Sequence, residues 1–348
     1  MIARIKCIHV SGMIYISRHG CFFMLLYTER MIYIMKMKSR KFIIPGIIFL
    51  LMILIGGYTV WDNQRVVVDN VTMSNSNLPS GFEGYRILQI TDLHGKSFGE
   101  KQGKLVELIK KQKYDLLLFT GDYITDESDD LTPLEDLLKG LPESGDRYYI
   151  LGNVDEDNSI APLVSGNKFY DLFAKYGVKP LYPGVEITRS DESIWLRTNP
   201  YVGRYEIYQE VRKDLVNAIE TFNMKYEASD DPFTVEVSHI PTEIDYEDEW
   251  IHDYRTHILG ETDDEWIDWD VSINGHTHGG QIHLPFIGPV ASPNYGLFPG
   301  KINVTGVHEK NGHTQYVCSG LGVSGPKILQ FRFLNPPAIG LITLSKVK

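Results

Sequence analysis

The sequence predicts an α/β fold preceded by one membrane-spanning helix. A charge-free apolar run of 20 residues lies near the N-terminus, at 42–61. Beyond it, apolar runs of strand length alternate with segments of helical periodicity, which is the pattern of βαβ units. Most of these strand-like runs lead directly into aspartate, asparagine or histidine, at the strand ends where open α/β sheets place their ligands.

The first 41 residues are expected to form a cytosolic N-terminal segment. Within it, residues 1–34 mix aromatic and charged side chains without a clear period. We interpret this stretch as an upstream extension of the reading frame, with translation starting at Met35 or Met37. N-terminal sequencing of the natural protein tests this hypothesis, and a peptide that covers Arg18 would contradict it.

The apolar run 42–61 is expected to span a membrane, since a helix of this length extends about 30 Å. Four basic residues at 36–41 precede the run and Asp62 follows it, so the positive-inside rule places the N-terminus in the cytosol. A cleaved signal peptide is the alternative, but the run exceeds a usual signal core and lacks a clear cleavage site. We therefore expect a single-pass protein of a bacterial plasma membrane, with a linker at 62–69 and an extracellular domain at 70–348.

The composition excludes several functional classes. Of the 348 residues, 43% are hydrophobic and 23% are charged, which is typical of folded globular proteins and excludes disorder or a multi-span membrane protein. Residues 62–348 carry 26 basic and 44 acidic groups, a net charge of −18. No nucleic acid is expected as a partner, because neutralising phosphates supplies most of that affinity. Cys318, the one cysteine beyond the apolar run, is expected to be a buried strand residue.

Seven strands are predicted in the outer domain, each a short apolar run bounded by turn residues. They lie at 85–90, 115–120, 147–151, 234–237, 270–273, 315–318 and 339–344. Helices are predicted at 105–112, 131–138 and 203–226, where apolar residues recur every three or four positions. No repeat or second linker interrupts 70–346, so we interpret it as one domain, with solvated acidic stretches at 245–253 and 261–268.

Side chains at the ends of five predicted strands can bind metal ions. They are Asp92, His94, Asp122, Asn153, His239, His276 and His278. Asp92 and His94 are two positions apart, as are His276 and His278, so an extended backbone would aim each pair to one side. Glycines beside the ligands, such as Gly121 and Gly152, would let the backbone approach a metal or a phosphate closely.

The types of these residues indicate which metals they bind. Aspartate and histidine together favour Mn²⁺, iron or Zn²⁺, whereas thiolates select softer metals and all-oxygen sets select Mg²⁺ or Ca²⁺. The other histidines of the domain lack a strand-end context and are expected to be solvated. They are His252, His257, His283, His308 and His313.

Five blocks of this sequence resemble the motifs of the calcineurin-like metallophosphoesterase superfamily, and most closely those of its membrane-anchored or exported bacterial branch. The blocks are TDLHG, TGDYI, LGNVDE, SHIP and GHTHGGQIHLP, and the similarity covers residues 70–346. The resemblance implies a four-layer αββα sandwich, in which two mixed sheets are flanked by helices.

The resemblance also implies a dinuclear site for two divalent or trivalent ions, Mn²⁺, Fe or Zn²⁺. One ion would be held by Asp92, His94, Asp122 and His278, and the second by Asp122, Asn153, His239 and His276. Asp122 would bridge the two ions, and a hydroxide held between them would attack phosphorus. The resemblance thus assigns catalytic roles to Asp122, Asn153 and His276.

Val154 departs from the pattern of this superfamily. The third block usually has histidine at this position, facing the leaving group, followed by an acidic residue that orients it. Valine cannot donate a proton, so a general acid worth roughly 10² to 10⁴ in rate is missing. An active enzyme is therefore expected to favour aryl phosphates or activated diesters over alkyl monoesters. Arg332 is expected either to approach the phosphate or to be structural.

The leading functional prediction is a metal-dependent phosphoesterase that hydrolyses a phosphomonoester or a phosphodiester at the outer face of the membrane. Lipid headgroups, envelope polymer phosphates and nucleotides are all candidate substrates. The alternative, motivated by Val154, is a catalytically impaired sensor or scaffold that binds metal and phosphate. A membrane-bound nuclease conflicts with the acidic charge of the domain.

Overall fold

The computed structural model describes residues 43–125, 128–142, 145–155, 167–198, 213–241, 269–293, 295–300, 304–325, 327 and 330–347, together with two short strands. The chain divides into two compact units, Met1–Tyr58 and Thr59–Lys348. In the first unit, β1 (Ile8–Val10) pairs with β2 (Met13–Tyr15) in antiparallel register. The predicted domain boundaries stay a prediction.

Helix α1 (Ile43–Asp62) is 20 residues long, has a mean hydropathy of 2.4, and is long and apolar enough to cross a membrane. No part of its most apolar window is buried among the described residues, whereas the core helix of a soluble protein would be covered by other elements. The predicted apolar helix is therefore present, displaced by one residue from the expected 42–61.

The unit Thr59–Lys348 contains sixteen further strands and four further α-helices among its described residues. In chain order they are β3 (Val67–Asn75), β4 (Arg86–Ile90), α2 (Gly103–Lys110), β5 (Leu116–Thr120), α3 (Thr132–Gly140), β6 (Asp146–Ile150), α4 (Lys168–Lys175), β7 (Lys179–Pro180), β8 (Gly184–Arg189), β9 (Glu192–Arg197), α5 (Lys213–Glu227), β10 (Thr234–Val237), β11 (Val271–Asn274), β12 (His283–Leu284), β13 (Gly288–Pro289), β14 (Ala291–Ser292), β15 (Gly296–Leu297), β16 (Gly306–Lys310), β17 (His313–Val317) and β18 (Ala338–Lys346).

These strands form two six-stranded mixed sheets and two small hairpins. The first sheet has the order β3-β18-β4-β5-β6-β7 and the second has the order β16-β17-β11-β10-β9-β8. In the first sheet β4, β5 and β6 run parallel, while β18 is antiparallel to β4 and parallel to β3. In the second sheet β9, β10, β11 and β17 run parallel between the antiparallel edge strands β8 and β16.

Strand β5 shows why the two sheets pack against each other. Leu116 and Leu118 lie in a core with Ile273 of the second sheet, whereas Leu117 and Phe119 lie in a separate core beneath α2, α3 and α4. All five side chains are buried, and each buried side chain of this size stabilises the fold by about 1.5 to 3 kcal/mol. A strand that is apolar on both faces is the expected sequence signature of a sheet covered on both sides.

Helix α5 provides the outer layer on the second sheet. Trp195 of β9 packs edge-on against Phe222 and Tyr226 of α5, with ring centroids 5.5 Å apart in both pairs. The order of layers is therefore helix, sheet, sheet, helix, and the predicted αββα sandwich is confirmed.

All seven predicted strands are present, with ends that differ from expectation by at most two residues. The helices predicted at 105–112 and 131–138 correspond to α2 and α3. Of the helix predicted at 203–226, the part from 213 onward is α5, and 203–212 lies outside the described residues, as do both acidic stretches. The sequence analysis missed α4, the strands β3, β7, β8, β9 and β16, and the short strands β12 to β15. Cys318 is buried, as predicted, but it follows β17 directly and does not lie within the strand.

Candidate metal centre

The parallel strands of both sheets bring the predicted ligands to one edge of the sandwich. Asp92 lies two residues beyond β4 and Asp122 lies two residues beyond β5. In the second sheet, His239 and His276 each follow a parallel strand by two residues. Because the carboxyl ends of parallel strands point the same way, residues distant in sequence converge at this edge.

Six of the seven predicted ligands form two buried clusters. One cluster contains Asp92, His94 and His278, and the other contains Asp122, His239 and His276; within each cluster the potential ligand atoms lie within 4.8 Å of one another. The clusters adjoin through Asp122, whose Oδ2 lies 3.4 Å from Nε2 of His94 and 3.1 Å from Nε2 of His239. Asp122 therefore lies between them, as a bridging ligand would.

The nitrogens of three histidines that face the clusters are buried without a hydrogen-bond partner among the described residues. They are Nε2 of His94, Nε2 of His239 and Nδ1 of His278. The opposite nitrogens contact Ile124 O at 3.1 Å, Thr120 O at 2.7 Å and Ser324 Oγ at 3.0 Å, respectively. Metal-binding histidines are held in this way, with one ring nitrogen fixed by the protein and the other lone pair free for the ion. The donor set therefore fits divalent cations.

Asn153 and Val154 lie beside the clusters on the loop after β6. The side chain of Asn153 is exposed, whereas the other six predicted ligands are buried. The backbone N–H of Val154 donates to Oδ1 of Asp122 at 3.0 Å, and its half-buried side chain packs against the core beneath the helices. The ligand role of Asn153 stays a prediction.

Asp155 is a buried residue beside the clusters whose contacts sequence reasoning missed. Its buried carboxylate accepts the N–H groups of Asp122 at 2.7 Å, Tyr123 at 2.8 Å and Gly152 at 3.0 Å. Burial and the neighbouring Asp122 carboxylate raise the pKa of Asp155 to about 7. Asp155 thereby joins the loop after β5 to the loop after β6 and fixes the backbone on either side of Asp122.

The backbone at the ligands is not extended, which corrects one expectation. The φ angle is 52° at Asp92, 44° at His94, 71° at His276 and 53° at His278, all in the left-handed region that residues with a Cβ avoid. The members of each pair converge through tight turns rather than through strand alternation. Asp122, with φ of 56°, shares this conformation, and such strain is stored at sites that the surrounding structure holds rigidly.

Three glycines next to the candidate ligands leave no room for a side chain, and the sequence predicted a close approach of the backbone there. A Cβ on Gly121 would lie 2.5 Å from the backbone N of Gly152, and one on Gly152 would collide with the carboxylate of Asp122. A Cβ on Gly275 would lie 2.7 Å from Oδ2 of Asp92. The close approach of these loops therefore depends on glycine.

The contacts of Arg332 support the structural one of the two roles that the sequence left open. Its side chain is fully buried, and it donates to the carbonyl oxygens of Gly322 at 2.9 Å and His278 at 3.2 Å. Asn335 Nδ2 donates to the same His278 carbonyl at 2.8 Å. Both residues support the turn that carries His278.

The other histidines are not all solvated, so that prediction is wrong for three of them. His283, His308 and His313 are half-buried, with a ring nitrogen 2.5 Å from Gly279 O, 3.0 Å from Thr305 O and 2.6 Å from Trp269 O, respectively. His252 and His257 lie outside the described residues.

The pKa values of two candidate ligand histidines, His239 and His278, are shifted in opposite directions. Burial alone would lower the pKa of His239, but the carboxylates of Asp122 and Asp92 raise it to about 9. The pKa of His278 lies well below its usual value because of burial and the nearby His94 and Arg332. Burial and the Asp122 carboxylate raise the pKa of Asp92. Carboxylates that repel each other in this way are stabilised by a bound cation.

The sequence of this chain is similar to those of known proteins. The family model for calcineurin-like phosphoesterases matches residues 85–280. The chain is 28% identical over 283 residues to the metallophosphoesterase YkuE of Bacillus subtilis (strain 168), covering 78% of this chain and 83% of that protein. It is 24% identical to a metallophosphoesterase of Helicobacter pylori (strain J99), covering 74% of this chain and 59% of that protein. Among solved structures, a 5'-nucleotidase precursor from Thermus thermophilus matches with 14% identity and a TM-score of 0.33, covering 75% of this chain and 54% of that one.

Proposed function

The chain belongs to the calcineurin-like phosphoesterase family and is a metal-dependent phosphoester hydrolase, and from this premise we propose that it uses two metal ions to hydrolyse a phosphomonoester or a phosphodiester. The observation that supports two ions is the pair of adjoining buried clusters on either side of Asp122. A single ion would leave one cluster of buried carboxylate and imidazole groups without a partner.

The proposed ligands follow from the clusters and the family motif. Asp92, His94, Asp122 and His278 hold one ion, and Asp122, Asn153, His239 and His276 hold the other. When bound, the two ions supply Lewis acidity, which neutralises the phosphoryl oxygens and yields hydroxide from water at neutral pH. We propose Mn²⁺, iron or Zn²⁺, because mixed aspartate and histidine ligands suit these metals.

The residues around the ligands act by holding them in place. Asp155 fixes the backbone at Asp122, while Arg332 and Asn335 fix the backbone at His278. Val154 offers no proton to a leaving group, so the leaving group departs with the charge that it develops. Aryl phosphates and activated diesters are therefore the preferred substrates, with Asp122, Asn153 and His276 proposed as the catalytic residues.

We propose that the domain acts at the outer face of a bacterial plasma membrane. Helix α1 is long and apolar enough to span the membrane, and the basic residues at 36–41 favour a cytosolic N-terminus. The substrate is then a phosphoester of the membrane or of the cell envelope, or an extracellular nucleotide.

The second candidate function is a sensor or scaffold that binds metal and phosphate without turnover. The side chain at position 154 favours it, since valine there packs against the core and supplies no acid. The six buried candidate ligands favour the enzyme, because a protein without catalysis has no need for two adjoining clusters.

One experiment separates the two functions. The full chain, purified in detergent and loaded with Mn²⁺, is assayed with a bis-aryl phosphodiester. The enzyme predicts metal-dependent turnover that Asp122→Ala or His276→Ala reduces to background, whereas Met224→Ala, an exposed change on α5, leaves it unchanged. Stoichiometric metal binding without turnover would support the scaffold, and turnover that survives Asp122→Ala would contradict the proposed site.

A further inference from the structure

Large apolar side chains are exposed on the segments that follow the His278 turn. Phe286 is 109% exposed, Leu297 is 75% exposed, and both Ile287 and Phe298 are 58% exposed. We call this surface the apolar ribbon and define it by the following side chains: Leu284, Phe286, Ile287, Leu297, Phe298 and Leu334. Outside α1, the described residues expose few other large apolar groups, among them Met224 on α5, so the ribbon is a local concentration.

The segments of the apolar ribbon lie side by side. The N–H of His283 donates to Phe333 O at 2.8 Å, that of Val290 to Ile282 O at 2.9 Å, and that of Phe298 to Val290 O at 2.8 Å. These bonds connect four stretches of backbone, around 333, 282, 290 and 298, into one continuous layer. The exposed side chains are therefore carried by connected backbone rather than by separate loops, and concentrations of exposed apolar groups mark interaction sites.

The backbone next to the apolar ribbon is hydrogen-bonded to Asn63. Asn63 directly follows α1, and its Nδ2 donates to Arg332 O at 2.6 Å while its Oδ1 accepts the N–H of Arg332 at 2.9 Å. Leu334, an end of the ribbon, is two residues from Arg332, and Phe331 on the other side of Arg332 is also exposed. Trp61, in the last turn of α1, is 57% exposed, as is common for tryptophan at a lipid interface.

The apolar ribbon is also joined closely to the metal centre. His283 directly precedes Leu284 of the ribbon, and its Nε2 lies 2.5 Å from the carbonyl oxygen of Gly279 in the turn that carries His278. A Cβ on Gly280 would lie 2.6 Å from Cβ of Pro289, so the turn and the ribbon are in contact. The backbone N–H of Arg332 donates a hydrogen bond to Asn63, and its side chain donates one to the carbonyl oxygen of His278. Arg332 therefore links the residue after α1 to the turn that carries His278.

We propose that the apolar ribbon lies on the lipid surface of the membrane that holds α1. Residues 62–348 have a net charge of −18, so the domain as a whole is not attracted to anionic headgroups. In this proposal the contact is made by exposed phenylalanine and leucine side chains that insert into the interface. Resting on the proposed function, this places the metal centre beside the lipid surface and makes a lipid-borne phosphoester its substrate class.

Spin labelling tests the docking without relying on activity. The full chain carries Cys7→Ser and Cys21→Ser, and the remaining Cys318 is unreactive because it is buried. A nitroxide is attached at Phe286→Cys. The matched control carries the label at Met224→Cys, an exposed apolar position on α5. Both are reconstituted in vesicles of phosphatidylcholine and phosphatidylglycerol, and collisions with oxygen and with a water-soluble nickel chelate are measured.

Docking predicts that the label at Phe286 collides with the nickel chelate several-fold less, and with oxygen more, than the label at Met224. Equal exposure of both labels to the nickel chelate would overturn the proposal. Dipolar broadening at Phe286 that disappears on dilution with unlabelled chain would also overturn it, since a second copy would then cover the ribbon.

A second measurement addresses the substrate class. The double variant Phe286→Ser, Phe298→Ser is compared with the unchanged chain on a phosphodiester lipid in vesicles and on a water-soluble aryl diester. We expect a several-fold lower rate on the lipid and an unchanged rate on the soluble ester. Equal losses on both would overturn the lipid substrate class. If neither form hydrolyses either ester, the proposed function fails while the spin-label result still decides the docking.

Discussion

At the scale of single residues, Asp155 is placed to orient Asp122. Each of its oxygens accepts backbone N–H groups: Oδ2 accepts those of Asp122 and Gly152, and Oδ1 accepts those of Tyr123 and, at 3.4 Å, Ile124. In Asp155→Asn an amide N–H₂ group replaces one of the two oxygens. This group cannot accept a hydrogen bond, so one pair of backbone N–H donors is left unsatisfied. At about 1 to 3 kcal/mol for each unsatisfied donor, the free energy of unfolding falls by roughly 2 to 6 kcal/mol.

This prediction is checked by denaturation and by metal content. Asp155→Asn should also bind less metal, because Asp122 is no longer held between the two clusters. Asp191→Asn, an exposed aspartate in the β8–β9 turn, is the matched control and should change neither quantity. If Asp155→Asn keeps full stability and metal content, Asp155 has no positioning role.

A second residue-scale prediction concerns Val154. Val154→His introduces an acid next to Asp122, where the backbone N–H of position 154 already bonds to the carboxylate. The ratio of kcat for an alkyl monoester to kcat for an aryl ester should rise, by up to the roughly 10² to 10⁴ that general acids contribute. Val154→Ala, which removes packing but adds no acid, should leave this ratio unchanged. An unchanged ratio in Val154→His with unchanged metal content would show that leaving-group protonation does not limit the rate.

The third residue-scale prediction concerns His239 and pH. In the metal-free protein its pKa is raised to about 9, so the imidazole is protonated at pH 7, whereas a metal ligand must be neutral. Metal binding therefore releases this proton, and affinity for Mn²⁺ should rise with pH up to about 9. Calorimetry at pH 7 in buffers of different ionisation enthalpy measures the release. Zero proton release would contradict the raised pKa.

Single residues also show what sequence can and cannot reveal about the site. Asp92, Asp122 and His239 could be found because each follows an apolar strand and matches a motif. The contacts of Asp155 and Arg332 could not, because both act on backbone groups of residues distant in sequence. The left-handed backbone at His94 was equally hidden, since a histidine, unlike a glycine, adopts that conformation too rarely to indicate it in a sequence.

At the scale of elements, the loops after β5 and β6 approach each other through two glycines. Gly152→Ala places a Cβ against the carboxylate of Asp122, so the loops must separate. Such overpacking typically costs about 1 to 3 kcal/mol, and here it also displaces a proposed ligand. We expect a lower thermal midpoint and loss of metal from the second cluster.

The matched control for this prediction is Gly103→Ala, at the start of α2. Nothing lies within 4 Å of a Cβ at that position, and alanine is the better helix former by up to about 1 kcal/mol. Its thermal midpoint should be unchanged or raised, with metal content unchanged. Equal behaviour of the two variants would show that the close approach of the loops is not required.

The long elements were predictable because their patterns are local. Strand β5 is a run of buried residues on both faces, and α2 buries Leu105 and Ile109 at helical spacing. The strands β12 to β15 have two residues each, too short for any periodicity, and they depend on bonds to distant backbone such as that between His283 N and Phe333 O. Local patterns therefore find the sheets but miss the segments that form the apolar ribbon.

At the scale of the whole molecule, the order of strands could not be derived from spacing alone. The last strand, β18, inserts between β3 and β4 and pairs with both, so the C-terminal strand completes the sheet that the first strands begin. Leu344 of β18 lies in the same core as Met73 of β3. Pairing between ends of a chain leaves no local signal, and only the motif resemblance implied the two-sheet sandwich.

The orientation of the molecule in the membrane gives the last prediction. If the positive-inside rule holds for α1, the acidic domain lies outside the cell and the basic residues at 36–41 lie inside. An impermeant maleimide applied to intact spheroplasts should then label Met224→Cys, because position 224 is 66% exposed on α5. It should label Lys38→Cys, which is present with either start site, only after the membrane is permeabilised. Both variants carry Cys7→Ser and Cys21→Ser, and the remaining Cys318 is a silent background, because burial raises the pKa of its thiol to about 12 and excludes the reagent. The opposite pattern, with Lys38→Cys labelled in intact spheroplasts and Met224→Cys protected, would place the metal centre in the cytosol and restrict the substrate to intracellular phosphoesters.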